Sequence, residues 1–381
     1  MDTDKNQPTL QQQRQHINLP AFVHFKPDIE DLDRVENYLL DAQARQFKEW
    51  AIELSSYFTA VGSLWNEKER SFSDNQKLIS AYYESQYPTF ARRLHRAQRE
   101  LATFVCQLSE HAQRVYHIIF RRYLLRFYLQ SPFLRRAYEK PRGYPGDYLM
   151  MDMLYRHEPQ GSTLFGRAMD QYALHEEGAE MVRNRPQYLI EKICEAVDRR
   201  KSNRVRVANI GCGTAEEIFV LLTTLPDVGQ YLDLTLVDQD KEALAYCLNR
   251  LSPLADATGA MLEVVCEPVK RLFIEDYARR FLAGNHLIYS AGLFDYFNTE
   301  VFQKLLQLLY DNVCTDGTLV IGNVDPEVPS RWLMEYANNW FIIYKTAVEL
   351  QRMAYRLKPL PSQIVVEAEA SGFNHFLVIY K

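Results

Sequence analysis

Through its first half the chain repeats apolar positions at three- and four-residue intervals with charges between them, the period of amphipathic helices. The pattern runs from about residue 35 to 190, through YLLDAQARQFKEWAIELSSYF and a long stretch from Ala81 through RRLHRAQRELATFVCQLSEHAQRVYHIIFRRYLLRFYLQ, with Pro88 and Pro132 as punctuation. From Arg204 the texture changes. Short β-branched runs, VRVANI, DLTLVD, LEVVC, HLIYS and TLVIGNV, alternate with amphipathic segments. Strands separated by helices of about 10 to 15 residues pair in parallel through right-handed crossovers, so this half predicts a doubly wound α/β sheet. The last stretch, QIVVEAEASGFNHFLVIYK, breaks the rhythm. Its two strand-like runs meet at Ser371-Gly372-Phe373-Asn374 as a hairpin, giving the sheet an antiparallel edge strand at its end. Between the fifth strand and the hairpin, an insertion over about residues 326–355 is rich in Trp and Tyr. It is expected to be helical, and either to wall the sheet's ligand edge or to pack on the N-terminal half. The expected organisation is a polar tail over 1–25, an all-α cap over 26–190 and a Rossmann-like unit over 191–381.

Composition narrows the function classes. Lys+Arg number 44 and Asp+Glu 49, a formal charge of 44 − 49 = −5. That balance does not fit a surface that neutralises nucleic-acid phosphates throughout, so no nucleic-acid partner is expected. With no run of about 18 uncharged apolar residues and a polar, Gln-rich start, neither stable membrane insertion nor a signal peptide is expected, and the location implied is cytoplasmic. Six cysteines without a CxxC pair, and isolated His157, His175, His286 and His375, give no metal-ligand spacing. The run Arg121-Arg122-Tyr123-Leu124-Leu125-Arg126-Phe127-Tyr128, with Arg135-Arg136 beyond, interleaves cations and aromatics. Such a run can dock a partner, but at helical spacing its ordinary reading is an amphipathic helix with aromatics inward.

Candidate chemistry concentrates where the first strand meets its helix. In Val207-Ala208-Asn209-Ile210-Gly211-Cys212-Gly213-Thr214-Ala215-Glu216-Glu217 the strand ends in Gly-x-Gly, so the backbone can approach a ligand beyond the strand's carboxyl end. The second strand ends in Asp238, 25 residues after Gly213, placed to accept both hydroxyls of a ribose. A dinucleotide fingerprint needs a third small residue three after Gly213, where Glu216 stands, followed by Glu217. Two carboxylates in a first helical turn repel a pyrophosphate but suit the cationic amino group and sulfonium of S-adenosylmethionine (SAM).

Residues from about 204 to 381 resemble a class I SAM-dependent methyltransferase. Asn209-Ile210-Gly211-Cys212-Gly213 stands for its first motif, Asp238 for the ribose acid, Cys266-Glu267-Pro268 for the adenine-side turn, and Ser290-Ala291-Gly292-Leu293-Phe294-Asp295-Tyr296 for the motif after the fourth strand. Asn209 departs from the usual acid, so the hold on the methionine end is shared with Glu216 or Glu217. The cofactor contacts implied are Asn209, Gly211, Gly213, Glu217, Asp238, Glu267, Ser290 and Gly292. A narrower resemblance covers about residues 80–381. Lys140-Pro141-Arg142-Gly143-Tyr144-Pro145-Gly146-Asp147-Tyr148, Leu164-Phe165-Gly166, Val182-Arg183-Asn184-Arg185 and Trp332-Leu333-Met334-Glu335-Tyr336 with Trp340-Phe341-Ile342-Ile343-Tyr344 resemble bacterial proteins of extracellular factor 3-hydroxypalmitic acid methyl ester biosynthesis. That resemblance implies methyl transfer from SAM to the carboxylate of a 3-hydroxy fatty acid.

Methyl transfer from a sulfonium is an in-line displacement in which the protein aligns the nucleophile and excludes water. A carboxylate is already ionised at neutral pH and needs orientation rather than a base. Arg142 and Tyr144, and Arg183 and Arg185 before the sheet, could hold it by charge-assisted hydrogen bonds, and Tyr144, Tyr148, Tyr296 and Asn323 are the candidate donors beside the methyl group. In the competing structural reading, Arg142 and Asp147 close a local salt bridge in a tight turn. N-methylation, intramolecular cyclisation of SAM, or a SAM-binding interaction protein without catalysis remain open. The expected partner is a small molecule bearing an acyl or carboxylate group, and a homo-oligomer is compatible with the sequence.

Overall fold

The computed structural model describes residues 42–73, 75–200, 203–274 and 276–381. The tail expected over 1–25 and the start of the helical half lie outside them. The helical half comprises α1 (Ala42–Ser71), α2 (Gln76–Val105), α3 (Glu110–Tyr123), α4 (Leu125–Tyr128), α5 (Pro132–Glu139), α6 (Tyr148–Arg156), α7 (Leu164–His175) and α8 (Glu177–Arg200). Ser131 and Asp147 cap α5 and α6 through side chains that accept from Leu134 N and Met150 N. Pro88, expected to punctuate, instead lies inside α2. Burial of Tyr83, Phe90 and Leu94 on either side holds the helix together across the hydrogen bond that proline cannot make. The basic-aromatic run splits as amphipathicity predicts. Phe127 and Tyr128 are buried, while Arg136 pairs with Asp147 at 2.9 Å.

The second half follows as β1 (Val205–Ile210), α9 (Glu216–Thr224), β2 (Leu232–Asp238), α10 (Lys241–Thr258), β3 (Met261–Cys266), α11 (Val269–Leu272), α12 (Arg279–Leu282) and β4 (Asn285–Ser290). It closes with α13 (Thr299–Asn312), β5 (Val313–Val324), α14 (Arg331–Tyr336), α15 (Ala347–Ala354), β6 (Gln363–Ala368) and β7 (Asn374–Tyr380). The seven strands lie in the order β3-β2-β1-β4-β5-β7-β6. β1 pairs in parallel with β2 (Val207↔Leu234) and with β4 (Val207↔Leu287), so strand order reverses between β1 and β4. The crevice at that reversal, beyond the carboxyl ends of both strands, is where such sheets bind ligands. The hairpin forms as expected, but the antiparallel strand is not the edge. β7 inserts between β5 and β6 (Val320↔Val378, Val365↔Val378) and leaves β6 outermost. This is an α/β Rossmann-like fold with a helical region on its N-terminal side.

Alternation along the strands fills two layers. Ala208, Ile210, Ile288, Ile321 and Leu377 face one way, toward α13 and α15, and Val207, Leu234, Tyr289, Val320 and Phe376 the other, toward α8, α9 and α10. A third core, rich in rings such as Phe47, Phe58, Phe90 and Phe165, fills the helical half. The boundary expected near residue 190 falls inside α8. Ala179, Met181 and Val182 of that helix enter the helical core, and Tyr188, Leu189 and Ile193 enter the sheet's.

The insertion is helical only in part. After α14, Asn339 adopts a left-handed conformation (φ 50°), and residues 339–346 run without regular structure. Backbone bonds hold this strap to the sheet: Ile343 N donates to Asp295 O at 2.7 Å and Lys345 N to Val324 O at 3.2 Å. Both expected placements are realised, because α14 packs on α2 and α3 while Leu333, Met334, Trp340 and Ile342 line a cavity over the sheet's ligand edge. No described helix is long and apolar enough to cross a membrane.

Candidate active site

One cavity runs from the reversal of the sheet into the helical half. Its floor is the turn after β1. Gly211 (φ 72°) and Gly213 (φ 54°) take left-handed conformations that let the chain fold back sharply. The N–H groups of Gly211 and Cys212 donate to Val237 O at 2.8 and 3.1 Å, tying the turn to β2. A Cβ on Gly213 would meet nothing within 4 Å, so this edge of the backbone is open to the cavity. Such an open cradle fits a ligand that presses against main chain.

Asp238, at the end of β2, lines the cavity beside it. Its Oδ2 accepts from Gly213 N and its Oδ1 from Asp240 N, both at 2.9 Å. Burial pushes its pKa up, and these backbone donors oppose the shift. The two oxygens keep lone pairs for a ribose diol, so the residue suits the role expected of it. Asp240 in turn anchors a loop from the helical half. Arg142 grips it with Nε on Oδ2 and Nη2 on Oδ1, and its Nη1 reaches Glu242 Oε2 at 2.7 Å. The Tyr144 hydroxyl donates to Asp240 Oδ2 at 2.8 Å. Burial pushes Asp240 up, but hydrogen bonds from Arg142 and Tyr144 win and hold its carboxyl below the usual range.

At the other side of the turn Glu217 is buried among polar neighbours. Its Oε1 accepts from Asn209 Nδ2 at 2.8 Å and from the Tyr289 hydroxyl at 2.6 Å, and burial pushes its pKa up to about 7. The carboxylate that Asn209 lacks is thus delivered from the first turn of α9 to the amide of Asn209. Glu216 points elsewhere, pairing with Arg250 at 2.7 Å. Glu267 lines the cavity and is held by the Tyr277 hydroxyl and by Arg271 at 3.2 Å. Gly292 also lines it. Ser290 does not: its buried Oγ donates to Ile210 O at 2.7 Å, a tie between β4 and β1.

Three of the residues expected to orient an acceptor are occupied. Arg142 lies in the Asp240–Glu242 network, not in a salt bridge with Asp147, which Arg136 takes. The physical reason is reach: two carboxylates at the start of α10 offer bidentate and monodentate partners at once. Tyr144 gives its one proton to Asp240. Tyr296 donates to Pro145 O at 3.3 Å and accepts from Trp340 Nε1 at 2.9 Å. Tyr144 and Tyr296 still line the cavity as ring walls, and Tyr148 lines it with its ring 5.4 Å from the Arg142 guanidinium. Gly146 (φ 68°) allows this packing, since a Cβ there would come within 3.0 Å of Trp340 and 3.2 Å of the Tyr296 hydroxyl. Beyond these rings the lining turns apolar, with Phe133, Leu134, Leu154, Val182, Leu189 and Leu333.

Three charged wall residues are absent from the expected cofactor and catalytic sets: Glu176, Asp295 and Arg185, the last expected only as an alternative hold for an acceptor carboxylate. Arg185 and Glu176 both line the cavity, at 8% and 3% exposure. Arg185 had a readable signal, because it interrupts an apolar stripe, Gly178, Val182 and Leu189, on one face of α8. Arg183 only donates to Leu174 O.

The strand order, the open glycine turn, the carboxylate after β2 and the acid beside Asn209 match the arrangement expected of a class I SAM-dependent methyltransferase. The chain's own residues fit the cofactor: Gly211 and Gly213 for close approach, Asp238 for the ribose and Glu217 for the cationic end. Residues 143–240 match the model of the family described as "Putative methyltransferase", a span that joins the Arg142–Tyr148 loop to the end of β2. No curated protein sequence matches the chain. Among solved structures it is similar to a protein described as a possible exported protein from Bordetella parapertussis (13% identity, 78% of this chain and 96% of that one, TM-score 0.47). It is also similar to DszA carbon methyltransferase (11% identity, 100% and 98%, TM-score 0.47). A third similar structure is magnesium protoporphyrin IX methyltransferase from Synechocystis PCC 6803 with bound SAM (9% identity, 53% and 83%, TM-score 0.39).

Proposed function

We propose that the chain transfers the methyl group of SAM to a carboxylate oxygen of an acyl or other small molecule held under the helical half. The observation that carries this reading is the continuity of the cavity. It passes from Gly213 and Asp238, past the rings of Tyr144, Tyr148, Tyr296 and Trp340, into a chamber walled by Leu134, Leu154 and Leu333. No histidine or lysine stands among the described lining residues. An acceptor that is already nucleophilic suits such a chamber, and an ionised carboxylate meets that condition without a base. The rings exclude water from the sulfonium, and the apolar wall suits an alkyl chain.

The test is incubation with SAM and 3-hydroxypalmitate, with methyl ester read by mass spectrometry alongside S-adenosylhomocysteine. Stoichiometric ester supports the reading. Turnover of SAM with no ester, or a SAM-derived product formed without acceptor, refutes it.

A second reading, N-methylation, draws on Glu176. Its pKa is pushed up to about 8, chiefly by burial, with the side chains of Tyr172 and Gln98 opposing the rise. His95 Nδ1 approaches it at 3.5 Å. A carboxyl so placed can take the proton an ammonium must lose before attack. Under this reading, turnover of an amine rises with pH toward about 8 and Glu176→Gln flattens the profile. Under the carboxylate reading the profile with 3-hydroxypalmitate is indifferent to Glu176→Gln.

A further inference from the structure

Arg185 is a buried cation with no carboxylate in direct contact; the lining acid Asp295, whose rise on burial it opposes, is a counter-charge at longer range. Its Nε donates to Asn374 Oδ1 at 2.8 Å, and no described carboxylate lies within ion-pairing distance of the guanidinium. Nη1 and Nη2 donate to no described residue and are not sealed from the cavity, so four of the five N–H donors remain to be used. Removing a guanidinium from water costs several kcal/mol, on the order of what a well-formed anionic partner returns. Among the described residues that cost is offset only in part, by Asn374 and by the field shared with Asp295.

The site is also kept clear. A Cβ at Gly292 would stand 2.9 Å from Nη1, so the glycine after β4 leaves the guanidinium its place. Among the described lining residues Arg185 is the one cation, whereas Glu176, Glu217, Asp238, Glu267 and Asp295 are acids. Its field reaches the methionine side of the turn. Burial raises the pKa of the Tyr155 hydroxyl, Arg185 opposes that rise, and Glu217 adds to it. Arg185 and Glu217 therefore act on the same buried group from within one cavity.

We propose that Arg185 is the carboxylate receptor of this cavity, presenting the free edge of its guanidinium to a ligand carboxylate. A fork of parallel N–H donors matches two carboxylate oxygens in a way a lysine cannot. Two sources can supply that group: the amino-acid end of SAM and the acid of the acceptor. Glu217 favours the first, since an anion and a cation sharing one end of the cavity complement a zwitterion. The inference rests on the reading of the cavity as a SAM site.

The experiment compares SAM with decarboxylated SAM, which lacks only the carboxylate, by calorimetry on the wild-type chain, Arg185→Met and Arg185→Lys. Adenosine, which carries neither charge, reports whether each variant retains the folded site. The wild type is expected to prefer SAM by about 10- to 100-fold, the usual value of a hydrogen bond to a charged group. Arg185→Met should bring the two affinities together with adenosine binding unchanged, and Arg185→Lys should keep only part of the preference. In a second arm, palmitate is titrated into protein loaded with S-adenosylhomocysteine. If the SAM preference survives Arg185→Met but palmitate binding is lost, the receptor stands and the acceptor is its source. If Arg185→Met binds SAM, decarboxylated SAM and palmitate as the wild type does, the proposal is overturned. If Arg185→Met does not fold, the wild-type preference and Arg185→Lys decide: no preference for SAM and no loss of palmitate in the lysine variant overturn it equally. Failure of the wild type to bind SAM removes the proposed function instead, and the palmitate arm then judges Arg185 alone.

Discussion

The two sides of the glycine turn hold their carboxylates in opposite electrical states. On the ribose side Asp240 is gripped by Arg142 and Tyr144 and kept ionised, and its N–H steadies Asp238. On the methionine side Glu217 has only the neutral donors Asn209 and Tyr289, and burial holds it near pH 7 in its titration. The first side is assembled within the protein, with Arg142 already paired to Asp240 and Glu242. The second carries a group that a cationic ligand completes. Sensitivity to pH should therefore belong to the methionine side, and sensitivity to salt to the partly exposed Arg142 side.

The most damaging change to this arrangement is Asp238→Ala, which removes the proposed ribose acceptor and strands the N–H groups of Gly213 and Asp240. SAM affinity should fall about 100-fold or more by calorimetry, the upper end of the usual loss for one charged hydrogen bond or beyond it. An affinity within a few-fold of wild type would contradict the ribose assignment. Glu217→Gln should cost about 10-fold at pH 8 and remove the pH dependence of binding.

The sign of that dependence follows from the raised pKa. In the free protein the stability associated with Glu217 is fully present below the ordinary carboxyl value of 4.5 and is lost as pH rises through about 7. The loss is on the order of 3 kcal/mol, so the melting temperature should fall between these values. Affinity for a cationic ligand runs the other way, rising through about pH 7 with a proton released on binding, which calorimetry in buffers of different ionisation enthalpy measures. A flat profile would place the methionine side elsewhere.

Arg142→Ala acts on the other side, where the pair is partly solvated, and should weaken SAM by roughly 3- to 10-fold with reduced salt dependence. The smallest effect is expected of Tyr289→Phe. It deletes one of the donors that oppose the rise of Glu217, so the midpoint of the affinity profile should move to higher pH by less than about one unit.

Much of the sheet was legible in the sequence because its signals are local. A β-branched run followed by Gly211-x-Gly213, and another ending in Asp238, specify strand, turn and carboxylate within a few residues. Partners distant along the chain were not legible. Nothing near Arg142 announces Asp240, which is 98 residues away, and a nearer acid, Asp147, looked equally suitable. The tyrosines illustrate the same limit. Their positions around the cavity were readable, but which hydroxyls are occupied depends on Pro145, Trp340 and Asp240 meeting in space. Pro88 and residues 339–346 failed in a third way, because tertiary burial and strap-to-sheet bonding overrode local propensity.

The continuity of α8 has a consequence for how this architecture can be modified. One helix supplies Val182 to the helical core, Arg185 to the cavity and Ile193 to the sheet. A cut at residue 190 would leave two fragments with complementary greasy scars rather than two autonomous modules. The cap therefore cannot be exchanged like a cassette. New substrate ranges should arise by repainting its inner wall.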